Sequence, residues 1–169
     1  LLSGSSNNKN KYKKYKFIKI NLLNYKEFSK FDNFKITNIV FLAGISKSPI
    51  KNNNKSIFLH NKKIIQNTCR FFSKKKFKIN NFIFASSVYV YSNNTLPFKE
   101  IETCKPNNFY GKSKLYSEEM ILKTFNKKNL TNVFILRLFT VYGQNMHKNQ
   151  FVYDLQRKFF AFKNPVFFS

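Results

Sequence analysis

Three apolar runs of strand length, separated by segments of helical period, restrict this chain to few architectures. The runs are Asn38-Ile39-Val40-Phe41-Leu42-Ala43, Phe82-Ile83-Phe84-Ala85 and Val133-Phe134-Ile135-Leu136. Continuous apolar character, rather than strict alternation, is the pattern of strands covered on both faces. Between the first two runs, Ser56 to Phe72 sets Ile57, Ile64, Ile65, Thr68 and Phe72 at mostly helical spacing, which implies an amphipathic helix packed on the sheet. Between the second and third, Phe109 to Phe125 is another helical segment, with Leu115, Met120, Ile121 and Leu122 apolar. Strand, helix, strand, helix, strand is the alternation of an α/β fold with a parallel, doubly wound sheet. Upstream, Phe17-Ile18-Lys19-Ile20 alternates as a short strand and Tyr25 to Phe31 suits a short helix. The polar, basic stretch Asn7 to Lys16 has no apolar period and reads as a loop or frayed edge.

The length, 169 residues, suits one domain or part of one. The aromatic content of 18% argues against disorder and for a Phe-rich core. A net charge of +24 would by itself suggest nucleic acid or an anionic surface as partner. Yet of 31 basic residues only Arg70, Arg137 and Arg157 are arginine, and the lysines are scattered. Abundant Lys, Asn, Phe and Ile with scarce Ala and Gly is what a low-GC genome writes without selection for polyanions, so no specific nucleic acid is expected. Cys69 and Cys104 stand alone and only His60 and His147 add further soft ligands, so neither a metal site nor a disulfide framework is expected. Glu118 and Glu119 are expected to form solvated ion pairs. With neither an apolar span of membrane length nor a signal pattern, the chain is expected to be cytoplasmic and not membrane-bound.

In parallel sheets ligands bind beyond the carboxyl ends of the strands. The residues to watch are therefore Leu42-Ala43-Gly44, Ser86-Ser87 and Arg137-Leu138-Phe139-Thr140. Tyr110-Gly111-Lys112-Ser113-Lys114 sets a phenol and an ammonium one helical turn apart on one face. A cation held within several ångströms favours the phenolate, which would bring Tyr110 towards acid/base work near neutral pH. A hydroxyl such as Ser87, ending the preceding strand, could hydrogen-bond the same substrate oxygen.

These motifs, in this order, resemble the extended short-chain dehydrogenase/reductases, and within them the NAD-dependent nucleotide-sugar epimerases and dehydratases. Asn81 to Tyr91 is similar to the family's strand followed by Ser-Ser and Val-Tyr-Gly, and Tyr110 to Lys114 to its Tyr-Gly-x-Ser-Lys. Glu100 and Pro106 fall where the family has a Glu and a Pro in the intervening loop. Val40 to Gly44 resembles the strand end that lines the nicotinamide, Asn61 matches the Asn that begins the next helix, and Arg137 to Gly143 resembles the segment that closes the active site. Asn21-Leu22 falls where an Asp and an aliphatic residue touch the adenine.

The resemblance implies a Rossmann-like domain over residues 1–143, N-terminally truncated, and the start of a substrate-binding region over residues 144–169. It implies Ser87, Tyr110 and Lys114 as catalytic residues. Asn21, Leu22, Leu42, Ala43, Gly44, Asn61, Tyr110, Lys114 and Phe139 would bind NAD, with NADP left open, and Ser87 and Thr140 would face a nucleotide sugar. A homodimer through the two long helices would also fit. An NADP-dependent sugar reductase of the same fold, or a non-catalytic basic module for RNA or anionic surfaces, are the alternatives. Departures are plain too. With only Gly4, Gly44, Gly111 and Gly143, no glycine-rich pyrophosphate loop can be written, and Ser92, Asn21 and Thr140 replace the customary Gly, Asp and Asn. The first strand and its loop are expected upstream of Leu1, and the chain as given is not expected to turn over.

Overall fold

The computed structural model describes residues 2–4, 16–46, 55–74, 76–91, 96–126 and 131–143, together with residues 152, 153, 155, 157 and 159. Two short strands, β1 (Leu2–Gly4) and β2 (Phe17–Lys19), pair in parallel with Leu2 opposite Phe17. A 3-10 turn over Tyr25–Phe31 follows, started by Asn24, whose side chain accepts the Lys26 N–H at 3.1 Å. A second sheet contains β3 (Asn38–Phe41), β4 (Asn81–Ser87) and β5 (Asn132–Leu138), with β4 in the middle. β3 and β4 are parallel, Asn38 opposite Asn81 and Phe41 opposite Phe84. β5 starts beside the start of β4: the Asn132 N–H donates to Asn80 O at 2.7 Å, and the Asn132 amide to Asn81 Oδ1 at 3.0 Å.

Helix α1 (Lys55–Phe72) joins β3 to β4 and α2 (Phe109–Phe125) joins β4 to β5, the crossover that parallel neighbours require. The two helices pack on each other, and Ile57, Ile64, Ile65, Thr68 and Phe72 of α1 are all buried, as their spacing predicts. Thr68 donates its hydroxyl to Ile64 O at 2.9 Å within the helix, so its polar atom is satisfied in the core. Phenylalanine does most of the filling. Phe28, Phe31, Phe71, Phe72 and Phe77 interlock through tilted and edge-on rings, and Phe82 of β4 stacks on Phe125 of α2 with centroids 4.9 Å apart.

Two strands depart from the sequence expectation of burial on both faces. In β3, Ile39 and Phe41 face the helices while Val40 is 61% exposed, and Leu42 just beyond is 71% exposed. In β5 the same alternation leaves Phe134 and Leu136 exposed and turns Val133, Ile135 and Arg137 inward. α1 and α2 supply cover on one face only, and β3 has just one neighbour among the described strands.

The chain forms two compact units, Leu1–Arg137 and Leu138–Ser169. In the second, residues 138–143 are exposed, and residues 152, 153, 155, 157 and 159 are helical. The expected substrate region over residues 144–169 lies largely outside the described residues, as do residues 7–15 of the expected N-terminal loop. Among the described residues no helix is long and apolar enough to cross a membrane.

Candidate active site

Strand β4 and helix α2 bring together the three residues expected to carry the chemistry. Ser87 ends β4, 7% exposed. Tyr110 lies in the first turn of α2, which begins cleanly because Asn108 caps it, accepting the Gly111 N–H at 2.8 Å. Gly111 permits the close approach: a Cβ there would stand 2.4 Å from Tyr89 O and 3.0 Å from Pro106. The Tyr110 ring meets Tyr89 edge-on at 5.9 Å, and the Ser87 hydroxyl hydrogen-bonds the Tyr110 phenol. Lys114, one turn further along α2, is 7% exposed and donates to Ala85 O at 2.7 Å. Its ammonium lies 4.9 Å from the Phe84 ring centroid and 5.7 Å from that of Tyr110.

The electrostatics depart from the sequence expectation that the ammonium lowers the phenol's pKa. Burial holds Tyr110 above the usual phenol value, opposed by the Ser87 hydrogen bond and reinforced by Tyr89. Lys114 is itself desolvated, and burial pulls it down to about 8 against the supporting charge of Glu118. An ammonium directed at the Ala85 carbonyl leaves the phenol oxygen to Ser87.

The strand end after β3 turns at Gly44, whose φ of +153° is one that side-chain-bearing residues rarely adopt. Leu42 is exposed and Ala43 half-buried beside it. Asn61 was expected to begin the next helix, but α1 starts at Lys55 and Asn61 is buried inside it. Its amide clamps the turn. Oδ1 accepts the Ile45 N–H at 2.9 Å, and Nδ2 donates to Ile45 O at 2.9 Å and to Ser113 Oγ at 3.0 Å. Ser113, a residue that sequence reasoning passed over, donates in turn to Tyr110 O at 2.7 Å.

Asn21 and Leu22 follow β2, beside an open cavity of about 260 Å³ lined by Lys19, Ile20, Asn21, Glu27 and Lys30. Asn21 Oδ1 accepts the Leu23 N–H at 3.0 Å, its own N–H donates to Glu27 at 3.1 Å, and Asn67 holds the Leu22 carbonyl at 2.9 Å. Phe139 and Thr140 are exposed residues of the second unit.

Glu118 corrects another expectation. It is not solvated but 3% exposed, accepting the Ser86 hydroxyl and a guanidinium from Arg137, whose terminal nitrogen lies 2.8 Å from Oε2. Glu119, by contrast, is exposed. Arg137 also donates to the Tyr91 hydroxyl and to Glu100 O, the latter at 3.1 Å. Two signals could have revealed the pair. Glu118 falls one turn beyond Lys114 on the same helix face, and Arg137 occupies the inward register of β5, where a lone cation requires an acid.

The model of the NAD dependent epimerase/dehydratase family matches residues 2–161. No curated protein sequence matches the chain. Among solved structures, UDP-glucuronic acid 4-epimerase from Bacillus cereus, in complex with UDP-glucuronic acid and NAD, superposes with a TM-score of 0.68 at 22% identity, over 86% of this chain and 46% of that one. UDP-N-acetylglucosamine 4-epimerase from the same organism gives 0.68 at 25% identity, over 83% and 52%. RMD from Pseudomonas aeruginosa, complexed with NADPH, gives 0.70 at 20% identity, over 83% and 51%. The chain thus spans about half the length of these relatives. With the family's model matched from Leu2 to Ala161 and a Rossmann-like parallel sheet beneath the site, the chain belongs to the NAD-dependent epimerase/dehydratase family of extended short-chain dehydrogenase/reductases.

Proposed function

We propose that the protein acts on a nucleotide sugar, as an NAD-dependent epimerase or dehydratase in which Tyr110 transfers the proton of a sugar hydroxyl. The observation that carries this reading is the meeting of Ser87, Tyr110 and Lys114 at the end of β4. Three polar side chains with this chemistry converge where a parallel sheet opens to ligands. The residues present fit parts of both halves of a dinucleotide. The buried Lys114 ammonium has three N–H groups and, among the described residues, one hydrogen-bond acceptor, Ala85 O, which leaves donors for a ribose diol. The exposed Gly44 turn packs closely on Asn61, where a Cβ would stand 3.3 Å from its amide oxygen, and Asn21 borders a cavity that we assign to an adenine.

When bound, NAD supplies the acceptor and later the donor of a hydride. The chain's own residues do the rest. Lys114 would hold the nicotinamide ribose, and its positive charge near the Tyr110 ring favours the phenolate. Ser87 donates to the sugar oxygen and orients it. Tyr110 takes the hydroxyl proton as the sugar carbon is oxidised, and returns a proton when the keto sugar is reduced. Burial holds the free phenol protonated, so the site becomes a base only as the ammonium is directed towards it.

The test is to offer the complete protein a panel of nucleotide sugars with NAD and, separately, with NADPH. Epimerised or dehydrated product with NAD supports the reading. Net conversion of NADPH without epimerisation would favour a reductase, and no reaction with any sugar in the panel would remove it.

A further inference from the structure

The side chains of Glu118 and Arg137 pair on α2 and β5, and among the described residues neither hydrogen-bonds Ser87, Tyr110 or Lys114. The Arg137 guanidinium, from β5, donates to both Glu118 oxygens, by Nε at 3.2 and 3.3 Å and by its terminal nitrogen at 2.8 Å. It reaches further to the Tyr91 hydroxyl in the turn after β4, stacks at 4.8 Å on that ring, and bonds Glu100 O in the loop that leads to α2. Glu118 in turn accepts the Ser86 hydroxyl. Ser86 immediately precedes Ser87, Tyr91 ends the turn that carries Tyr89, and Glu118 lies one turn after Lys114.

We propose that Glu118 and Arg137 are positioning residues for this site: their buried ion pair locks the tip of β4 to α2, so that Ser87, Tyr110 and Lys114 keep one mutual geometry. The proposal rests on the acid/base reading of those three residues and extends it. A buried ion pair is a poor way to gain stability, because desolvation of both charges offsets their attraction. Its worth is in specifying geometry. A carboxylate with two oxygens, filled by a fork of guanidinium N–H groups and one hydroxyl, admits a single arrangement of the elements that carry them. The Glu118 charge also supports the Lys114 ammonium against desolvation. The other titratable or charged groups around the pair are Tyr91 from the turn, Cys104 from the loop, and Glu119, which acts with Glu118 and Arg137 on Cys104.

The experiment separates positioning from bulk stability. In the cofactor-free chain, the side-chain NMR signals of Lys114 are titrated in wild type and in Glu118→Gln. Wild-type Lys114 is expected to titrate near about 8. Release of Lys114 from its buried place, the result expected if the pair holds it, raises that midpoint towards the ordinary lysine value, whereas loss of the Glu118 charge alone, in a site that stays held, lowers it further. In the complete protein, Glu118→Gln and Ser86→Ala are each expected to lower kcat, by up to about 100-fold for a misplacement near 1 Å, with KM nearly unchanged. Ser86→Ala, which leaves both charges in place, should not move the Lys114 midpoint, and it serves if Glu118→Gln does not fold. A Lys114 midpoint that stays put or falls in folded Glu118→Gln overturns the proposal. So does wild-type kcat in Ser86→Ala. If wild type transforms no nucleotide sugar, the functional reading fails by itself, and the Lys114 titration still decides whether the pair holds the site.

Discussion

Asn61 donates to Ser113 at 3.0 Å, and through that one bond the turn after β3 is tied to the helix that carries Tyr110 and Lys114. The same amide holds both polar groups of the Ile45 backbone, so one buried side chain satisfies three partners on two elements. Asn61→Ala leaves the Ile45 N–H, the Ile45 carbonyl and the Ser113 hydroxyl short of a partner. A loss of about 1–3 kcal/mol in unfolding free energy is expected, read by denaturant titration. Asn61→Asp retains the acceptor for the Ile45 N–H but faces the Ile45 carbonyl with an oxygen, and is expected to be no more stable than the alanine variant. A cost below about 0.5 kcal/mol for both would show that the clamp contributes nothing.

Burying the Lys114 ammonium carries a cost in stability. Burial pulls the Lys114 ammonium down to about 8 from the ordinary lysine value of 10.5, so the native state binds fewer protons than the unfolded chain between those pH values. The penalty of burying the ammonium is therefore fully present below about pH 8 and is relieved as pH rises towards 10.5. Lys114→Met keeps the stem and removes the charge. The variant is expected to melt higher than wild type at pH 7, with the gap closing between about pH 8 and 10.5. A lower melting temperature at pH 7 would mean that the bond to Ala85 O outweighs desolvation.

Gly111 sets how closely α2 approaches the turn after β4. A methyl group there meets the Tyr89 carbonyl at 2.4 Å, and backbone cannot step aside as a flexible side chain can. Gly111→Ala is expected to cost about 1–3 kcal/mol through overpacking, although alanine otherwise favours a helix interior by about 1 kcal/mol. Because the displaced residue adjoins Tyr110, the Ser87 to Tyr110 hydrogen bond should weaken with it. Thermal unfolding measures the first effect, and a lowered midpoint is the expected result.

Much of the fold is legible in the sequence because its signals are local. The apolar faces of Lys55–Phe72 and Phe109–Phe125 give both helices to within a residue, and Asn108 before Phe109 explains the second start. Exposure of Val40 and Phe134 is not local. An apolar run states what a strand tolerates on each face, and the neighbours that cover it are decided elsewhere in the fold. The site divides in the same way. Tyr110 and Lys114 are readable from a four-residue spacing, whereas the raised phenol depends on how deeply the ring is buried. Glu118 next to Glu119 reads as a solvated pair until the buried face of α2, Lys114, Ser117, Glu118, Ile121 and Phe125, is seen to include it.

The most direct measurement is a single turnover of Tyr110→Phe in the complete protein. NAD-loaded wild type and variant are mixed with an accepted nucleotide sugar, and the absorbance of reduced nicotinamide is followed with time. Tyr110→Phe keeps the ring against Tyr89 and removes only the hydroxyl that Ser87 bonds. Hydride transfer is expected to slow by at least about 100-fold while NAD affinity stays within about twofold. Transfer at the wild-type rate would contradict the role given to the phenol and, with it, the acid/base reading of the site.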